Sequence, residues 1–268
     1  MRRELSGKVI VVTGASSGIG AATARACGRA GMHLVLNGRD ADRLAQVAES
    51  VRGLGCRVET VAGDVTEPGM NARLLDAADH GLGRLDVVFA NAGYGFRRPA
   101  HELDGAELRR IFEVNFFAAT DLICAAARRL LADGRPGHLL MCSSAVAKFT
   151  LKGFSAYSAT KAAQNHVCRA MRMELHRHGI EVSSVHPVTT RTEFFRRAAE
   201  HAGQTPVSTD AVDHVPRWFV QTPDQVAAAI VRCLRRPRRE VWTSATTRLA
   251  AGLMTVFPRL MDAIGRRA

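Results

Sequence analysis

The stretch that decides the fold is VIVVTGASSGIG, residues 9–20. Its first four residues are β-branched and apolar, which predicts a short buried strand, and the residues from Gly18 onward predict a helix. The glycines between these elements permit a tight turn and let backbone N–H groups and the helix N-terminus approach a pyrophosphate with no Cβ in the way. Glycine-rich turns alone are common, so it is the position between a strand and a helix that indicates a nucleotide site.

Short β-branched runs alternate with longer helical patterns along the rest of the chain, as is typical of βαβ units on a parallel sheet. Strands are predicted at residues 8–12, 33–37, 57–62, 85–90, 137–142, 180–186 and 240–243, and helices at residues 18–31, 40–54, 68–81, 104–132, 155–178 and 223–235. These elements predict an α/β fold, a doubly wound Rossmann sheet of seven parallel strands with helices on both faces. Because no repeat or low-complexity linker interrupts them, residues 1–243 are expected to form one domain, followed by a basic amphipathic helical extension at residues 244–268.

Composition and charge restrict the classes of function. The chain has 268 residues, of which 47% are hydrophobic, so it can bury a sizeable core and is not largely disordered. The net charge of +12 raises nucleic acid or anionic lipid as partners, but half of that excess lies in residues 235–268. The basic residues are not interleaved with aromatic residues on a recognisable module, so we expect no specific nucleic-acid partner.

Cysteine and histidine usage indicates the compartment. The six cysteines form no CxxC pair and the ten histidines form no cluster with metal-ligand spacing, so we expect reduced thiols, no metal and a cytoplasmic protein. The apolar run at residues 9–12 is too short for a signal peptide, and no stretch approaches the roughly 20 apolar residues of a membrane span.

The second predicted strand ends at Asn37, Gly38 and Arg39. Sites for NAD usually place an acidic residue at this point for the ribose 2′-hydroxyl, whereas an arginine can hold the 2′-phosphate of NADP through paired, charge-assisted hydrogen bonds. We therefore predict NADP (NADPH) in preference to NAD. The alternative is that Arg39 is a solvated residue at a helix start, with its charge partly offset by Asp40.

Two pairs of polar residues lie in the second half of the chain, one after the fifth predicted strand and one on the helix that follows it. Ser143 and Ser144 come directly after the fifth strand, and Tyr157 and Lys161 lie four residues apart on the next helix, so they share one helical face. A cation close to a phenol lowers the phenol pKa and makes it usable as an acid or base. The same spacing, taken alone, is also that of an ordinary exposed helical pair.

Taken together, these residues resemble the short-chain dehydrogenase/reductase family, in its single-domain subset, from about residue 5 to residue 242. Residues 13–20 resemble its TGxxxGxG loop, residues 64–65 its adenine-contacting pair and residues 91–93 its NAG segment. Asn115, Ser144, Tyr157 and Lys161 match its catalytic tetrad, Ser144 being chosen over Ser143 because the family serine lies 13 residues before the tyrosine. The cofactor-binding residues implied are Gly14, Ser16, Ser17, Gly18, Ile19, Gly20, Arg39, Asp64, Val65, Asn91, Ala92, Gly93, Tyr157, Lys161, Pro187 and Thr192.

The resemblance also implies roles. Hydride would pass between a nicotinamide and a carbonyl or alcohol carbon, while Tyr157 protonates the developing alkoxide and Ser144 donates a hydrogen bond to the same oxygen. Lys161 would hold the nicotinamide ribose and lower the pKa of Tyr157. Asn115 would bend its helix and hold a water that joins Lys161 to solvent. A homodimer or homotetramer is implied as well.

Two positions depart from the family pattern. Val188 follows Pro187 where the family usually has glycine, and Ser17 stands where many NADP-preferring members carry a basic residue. Val188 makes the nicotinamide end of the site less well matched than the phosphate end, and Ser17 counts against the NADP prediction that rests on Arg39.

Residues 188–222 fall outside the alternation and are predicted to form a substrate lid. Four aromatic residues in this segment predict an apolar carbonyl or alcohol as the small-molecule substrate, or else they only pack the lid to the body: Phe194, Phe195, Trp218 and Phe219. Three nearby arginines could meet an acidic carrier or a CoA phosphate, which keeps a 3-oxoacyl thioester reductase as the alternative: Arg191, Arg196 and Arg197. A non-catalytic nucleotide-sensing protein is the alternative from a different class.

The extension carries an apolar stripe at steps of three and four residues: Leu249, Leu253, Val256, Leu260 and Ile264, with Arg248, Arg259, Arg266 and Arg267 available to the polar side. The stripe could pack on its own domain, on a partner subunit, or in the interface of an anionic membrane as a peripheral contact. Pro258 is expected to split or kink the helix.

Overall fold

The computed structural model describes residues 2–188, 190, 220–257 and 259. Within these residues, seven parallel strands form one sheet in the order β3-β2-β1-β4-β5-β6-β7. The strands are β1 (Val9–Val12), β2 (His33–Gly38), β3 (Val58–Ala62), β4 (Val87–Ala90), β5 (Gly137–Cys142), β6 (Ile180–Val185) and β7 (Glu240–Val241). The predicted doubly wound fold is confirmed, with strand ends that differ from the prediction by at most two residues.

The helices cover both faces of the sheet. They are α1 (Gly18–Arg29), α2 (Ala41–Arg52), α3 (Met70–Asp76), α4 (Gly105–Phe112), α5 (Ala118–Ala132), α6 (Ser155–Leu175), α7 (Pro223–Arg235) and α8 (Ala245–Val256). Two helices predicted as continuous are divided. The third ends in a π-helical turn, Ala77–Gly81, and a second π-helical turn, Glu113–Phe117, separates α4 from α5.

Apart from the edge strand β3, the sheet is buried on both faces, and successive residues of a strand point to opposite sides. In β1, Ile10 and Val12 belong to the apolar core beneath α1, α2 and α7, whereas Val9 and Val11 belong to the core beneath α3, α5 and α6. The near-continuous apolar runs in the strands are the sequence signature of this double burial.

The order of the strands also determines where a ligand can bind. The chain first builds outward from β1 through β2 to β3, and then returns to place β4 on the other side of β1. In open parallel sheets, a crevice forms at the carboxyl ends of the two strands where the direction reverses, and ligands bind there. The glycine-rich turn after β1 lies at this edge.

Part of the predicted lid lies outside the described residues. Thr192, the four aromatic residues and the three arginines of that segment all fall in the part that is not described. At its two ends, Thr190 forms a parallel bridge with Gln221. Among the residues described, no helix is both long and apolar enough to cross a membrane.

The C-terminal helix α8 buries small side chains against the domain and leaves its large apolar side chains exposed. Thr247 and Ala251 are buried, and the Thr255 hydroxyl donates to the carbonyl oxygen of Lys148 at 2.9 Å. The described members of the predicted apolar stripe face away from the domain: the exposed fraction is 66% for Leu249, 48% for Leu253 and 68% for Val256. Packing of these three residues on their own domain is therefore not what the structure shows. The helix ends at Val256, two residues before Pro258, in agreement with the expected break.

Candidate active site

The glycine-rich turn after β1 is closely packed against the end of β4. Gly14 has a φ of +64°, and a Cβ there would lie 3.0 Å from the Ala92 Cα. A Cβ on Gly20 would overlap the Gly14 carbonyl oxygen. Both positions therefore require glycine, and the backbone surface that results is open to a ligand at the crevice.

Thr13 and Asn91 hold this turn in place. The Thr13 hydroxyl accepts from the backbone N–H groups of Asn91 and Ala92, at 3.0 Å each. The Asn91 side-chain amide donates to the carbonyl oxygens of Thr13 at 2.9 Å and Gly14 at 3.3 Å. Residues 78 positions apart in the sequence thus fix the turn from both sides.

Helix α1 begins at Gly18 with its first N–H groups directed into the crevice. Its N-cap residue, Ser17, makes no side-chain capping hydrogen bond, and its first turn contains no acidic residue. A helix N-terminus of this kind suits an anion, because the N–H groups and the helix dipole both favour negative charge. Ser16 lies against Gly38 at the end of β2, and Ile19 packs on the core.

Arg39 follows β2 and reaches Asp64 after β3. Its guanidinium lies 3.9 Å from the Asp64 carboxylate, and Arg110 of α4 reaches the same oxygen at 3.2 Å. Burial alone would raise the pKa of Asp64, but hydrogen bonds from Thr66 and the two arginine charges outweigh it and lower the pKa. The sequence analysis did not identify Arg110 as a partner of Asp64, because the two residues are 46 positions apart on different elements and no local motif marks Arg110. Val65 lines a small hollow with Thr13, Ala92 and Val114.

The two serines after β5 have different partners. Ser144 hydrogen-bonds to the phenol of Tyr157, whereas the Ser143 hydroxyl donates to the carbonyl oxygen of Lys161 at 2.9 Å. Ser144 also begins the short 3-10 turn Ala145–Ala147. The structure therefore brings Ser144 and not Ser143 to the tyrosine, as the spacing predicts.

Tyr157 and Lys161 lie one turn apart on α6, with the Lys161 Nζ 5.6 Å from the centre of the phenol ring. Lys161 donates to the carbonyl oxygen of Cys142 at 2.7 Å. Burial raises the pKa of the Tyr157 phenol above its usual value and lowers the pKa of Lys161 to about 8. The pKa of Tyr157 is therefore not lowered as expected, because desolvation of the phenol is the largest effect and only the hydrogen bond with Ser144 acts to lower the pKa.

Asn115 lies in the π-helical turn between α4 and α5, which interrupts the regular α-helix at this point. Its side-chain amide is engaged: it donates to the Tyr94 carbonyl at 2.8 Å and to the Thr160 hydroxyl at 3.2 Å, and it accepts from the Tyr94 N–H at 3.0 Å. Gly93 lies against it, since a Cβ there would be 3.0 Å from Asn115 Oδ1 and 3.5 Å from Lys161 Nζ.

Gln164 joins the Asn115 carbonyl to Lys161 through its side chain, and the expected relay through a water stays a prediction. Its side-chain N–H donates to the Asn115 carbonyl oxygen, and its Oε1 accepts from Lys161 Nζ at 3.2 Å. The sequence did not single out Gln164. The signal was available, because a residue three positions after Lys161 lies on the same helical face.

His186 is a second residue that the sequence analysis did not identify, and it supports the turn that begins at Ser144. His186, at the end of β6, donates from Nδ1 to the Ser144 carbonyl oxygen at 2.9 Å, and burial lowers the His186 pKa to about 4, which keeps the ring neutral. Trp242 stacks on this ring with centroids 4.6 Å apart and donates to Glu240 at 3.0 Å. Glu240 in turn pairs with Lys148 at 2.6 Å, at the other end of the Ser144 turn.

Pro187 takes part in the same support, because its carbonyl oxygen accepts from the Ala145 N–H at 3.0 Å. The Ser144 turn is thus tied to β6 and β7 at several points. One side of Tyr157 adjoins an apolar cluster of Phe96, Ile111 and Ala156, with Tyr94, Leu103 and Phe112 packed against it.

Comparison with known proteins places the chain in a family. The family model for short chain dehydrogenases matches residues 8–203. The 1-deoxy-11-beta-hydroxypentalenate dehydrogenase of Streptomyces exfoliatus is 38% identical over 185 residues, which cover 68% of this chain and 67% of that protein. A glycine betaine reductase of Emericella nidulans is 33% identical over 239 residues, 87% of this chain, but this chain spans only 18% of its length.

Solved structures of short-chain dehydrogenases are also similar to this chain. A short-chain dehydrogenase from Sphingobium yanoikuyae in complex with NADPH has a TM-score of 0.77 and 29% identity, covering 95% of each chain. A 7 alpha-hydroxysteroid dehydrogenase complexed with NADH and 7-oxo glycochenodeoxycholic acid has a TM-score of 0.76 and 27% identity, covering 87% of this chain and 89% of the other. The chain belongs to the short-chain dehydrogenase/reductase family. It is an oxidoreductase of the class that interconverts alcohols and carbonyl compounds with a nicotinamide cofactor.

Proposed function

We propose that the protein interconverts a carbonyl compound and a secondary alcohol with NADP(H), and that its substrate is small and apolar. The observation that carries this proposal is the hydrogen bond between Ser144 and Tyr157 beside Lys161, at the sheet edge that also bears the glycine-rich turn.

The fit of the cofactor rests on the close backbone packing at Gly14 and Gly20 and on the uncapped start of α1. These groups would hold the pyrophosphate, and Lys161 would hold the nicotinamide ribose. Arg39, next to the Ser16–Gly38 contact, would bind the 2′-phosphate, and this favours NADP over NAD. When bound, the nicotinamide supplies or accepts the hydride.

The protein's own groups handle the proton. Because burial raises the pKa of Tyr157, its phenol is protonated at neutral pH and can donate to an oxygen that gains negative charge during reduction. Ser144 donates a second hydrogen bond to the same oxygen, and the His186 bond to its carbonyl keeps the Ser144 turn in position. Both groups would act by fixed placement beside the reacting oxygen.

The proposed preference for an apolar substrate is supported by the apolar cluster beside Tyr157. The alternative, a 3-oxoacyl thioester reductase, depends on three arginines that lie outside the described residues. A screen with NADPH and NADP across aliphatic, aromatic, steroid and acyl-thioester compounds tests both. Turnover of simple ketones or alcohols supports the proposal, and turnover confined to thioesters supports the alternative.

Fluorescence titration with NADPH and NADH completes this test. Tighter binding of NADPH supports the role of Arg39, and tighter binding of NADH contradicts it. Binding without turnover of any compound in the screen would instead favour a nucleotide-sensing protein. The homodimer or homotetramer and the cytoplasmic location remain predictions, to be checked by light scattering and by cell fractionation.

We also propose a peripheral contact between α8 and anionic membranes. Leu249, Leu253, Val256 and Phe257 leave half to two-thirds of their surface exposed. An interfacial helix needs to enter a bilayer by only about 5–10 Å, so a short row of exposed apolar side chains is enough for a peripheral contact. Arg248 and Arg259 are exposed, and residues 244–259 contain no acidic residue, so the surface attracts anionic lipid.

Sedimentation with vesicles tests this contact. The protein should pellet with phosphatidylglycerol vesicles at low salt and remain in solution with phosphatidylcholine vesicles. The double variant L249E/L253E should lose this binding, whereas Met173→Glu, which alters a residue 76% exposed on α6, should keep it. Equal pelleting of the double variant contradicts the proposal. Loss of a dimer in that variant, with no vesicle binding by the unmodified protein, would assign the stripe to a second copy of the chain.

A further inference from the structure

Gln164 occupies the position between two members of the catalytic site. Its side chain is 1% exposed and bridges the Asn115 carbonyl oxygen and the Lys161 ammonium. Both ends of the carboxamide are used according to their chemistry, because the N–H end meets a carbonyl and the oxygen end meets a cation. This complementarity fixes the orientation of the amide.

A carboxamide and a water would do different things at this position. A water donates and accepts, so it can pass a proton by exchanging partners. A carboxamide oxygen and nitrogen hold fixed roles, and neither gains or loses a proton near neutral pH. The bridge from Lys161 to Asn115 therefore holds the ammonium in place, and it does not conduct protons.

The charge on Lys161 needs such support. The side chain is buried, and burial lowers its pKa to about 8. Of its three donors, one is bound by the Cys142 carbonyl and one by Gln164 Oε1. A neutral oxygen that accepts from the ammonium favours its charged form, which is the form that can hold ribose hydroxyls and act on Tyr157.

We propose that Gln164 is a positioning residue that fixes the Lys161 ammonium and keeps it charged. The consequence for cofactor binding rests on the proposed function of Lys161, whereas the effect on the Lys161 charge does not.

Lysine-selective NMR tests the effect on charge, since the chain has only four lysines: Lys8, Lys148, Lys152 and Lys161. In protein labelled with 13C at lysine Cε, the Lys161 signal is identified by its loss in Lys161→Arg and is then titrated with pH. Gln164→Leu removes an acceptor from the charged form, so the Lys161 midpoint should fall. Gln164→Glu adds a negative charge, so the midpoint should rise.

A matched control lies on the next residue of the same helix. Asn165 is also a buried amide, but it contacts Ser184 at 3.2 Å, so Asn165→Leu should leave the Lys161 midpoint unchanged. A residue that served only packing would not move the midpoint in opposite directions in the two Gln164 variants. If Gln164→Leu does not fold, Gln164→Glu still decides the question.

Cofactor binding gives the second readout. Gln164→Leu should weaken NADPH by about tenfold at pH 7, as expected for the loss of a hydrogen bond to a charged group, and the loss should grow as pH rises. An unchanged Lys161 midpoint in both Gln164 variants overturns the proposal. If the unmodified protein binds no NADPH, the proposed function fails, but the NMR titrations still decide the role of Gln164.

Discussion

The proposed catalytic edge of the sheet, which carries Ser144, Tyr157 and Lys161, and the C-terminal helix α8 are built in different ways. At the catalytic edge, buried polar groups from distant parts of the chain are joined by hydrogen bonds, as between Asn115 and Gln164 or Ser144 and His186. Helix α8 contacts the domain along a narrow line of small residues and turns its large apolar side chains outward. The comparison predicts that substitutions at the first region change chemistry, and that substitutions at the second change association.

The largest effect is expected at the catalytic edge, from Tyr157→Phe. The phenol is the proposed proton donor, and a general acid contributes about 10²–10⁴-fold, so turnover should fall by several orders of magnitude. NADPH binding should be retained, because the ring and its packing remain. Steady-state kinetics on any compound that the unmodified protein reduces gives the measurement. Substantial activity in this variant would remove Tyr157 from the proposed role.

A smaller loss is expected for Ser144→Ala. Removing one preorganised donor to a developing oxyanion typically costs about 10²–10³-fold in kcat. Ser143→Ala is the matched control, since the Ser143 hydroxyl donates to the Lys161 carbonyl and is adjacent in sequence. It should alter stability more than turnover. Equal losses of turnover in the two variants would show that the serines act through the fold of the turn.

The elements of the proposed catalytic edge could be predicted from local sequence patterns. The strand, the glycine turn and the start of α1 follow one another directly, and Tyr157 and Lys161 are four residues apart on one helix. Such spacings determine relative position without knowledge of the tertiary structure. The choice of Ser144 over Ser143 came instead from the family resemblance, and Ser144 is the serine that hydrogen-bonds to Tyr157.

What the sequence missed depends on tertiary contacts. Arg110 and His186 meet partners 46 and 42 residues away, and no local pattern links them to those partners. Gln164 meets Asn115, 49 residues away, although its spacing of three residues from Lys161 was a local signal. The direction of the Tyr157 pKa shift was also wrong for the protein's own groups, because burial is a property of the folded chain. The apolar stripe on α8 predicted the helix, but periodicity does not determine which face of a helix meets the domain.

Arg39, the residue proposed to determine the cofactor preference, follows β2 at the same edge of the sheet. Arg39→Ala should weaken NADPH by about 1.5–3 kcal/mol, as for a lost hydrogen bond to a charged group, and leave NADH nearly unchanged. Arg43→Ala, which alters an exposed arginine paired with Asp40 one helical turn further on, should leave both unchanged. Dissociation constants for the two cofactors give the measurement. An equal loss for NADPH and NADH would make Arg39 a structural residue.

The smallest effect is expected on α8, where Leu253→Ser should change the free energy of unfolding by no more than about 0.5 kcal/mol. Leu253 is 48% exposed, so little apolar contact is lost. Leu140→Ala in β5 provides the contrast, since Leu140 is fully buried and such a truncation costs about 2–5 kcal/mol. Urea unfolding of both variants, followed by light scattering, measures the difference. A cost of 2 kcal/mol or more at Leu253 would mean that the stripe is covered in solution. If that cost falls as the protein is diluted, the cover is a second copy of the chain, because only an association depends on protein concentration.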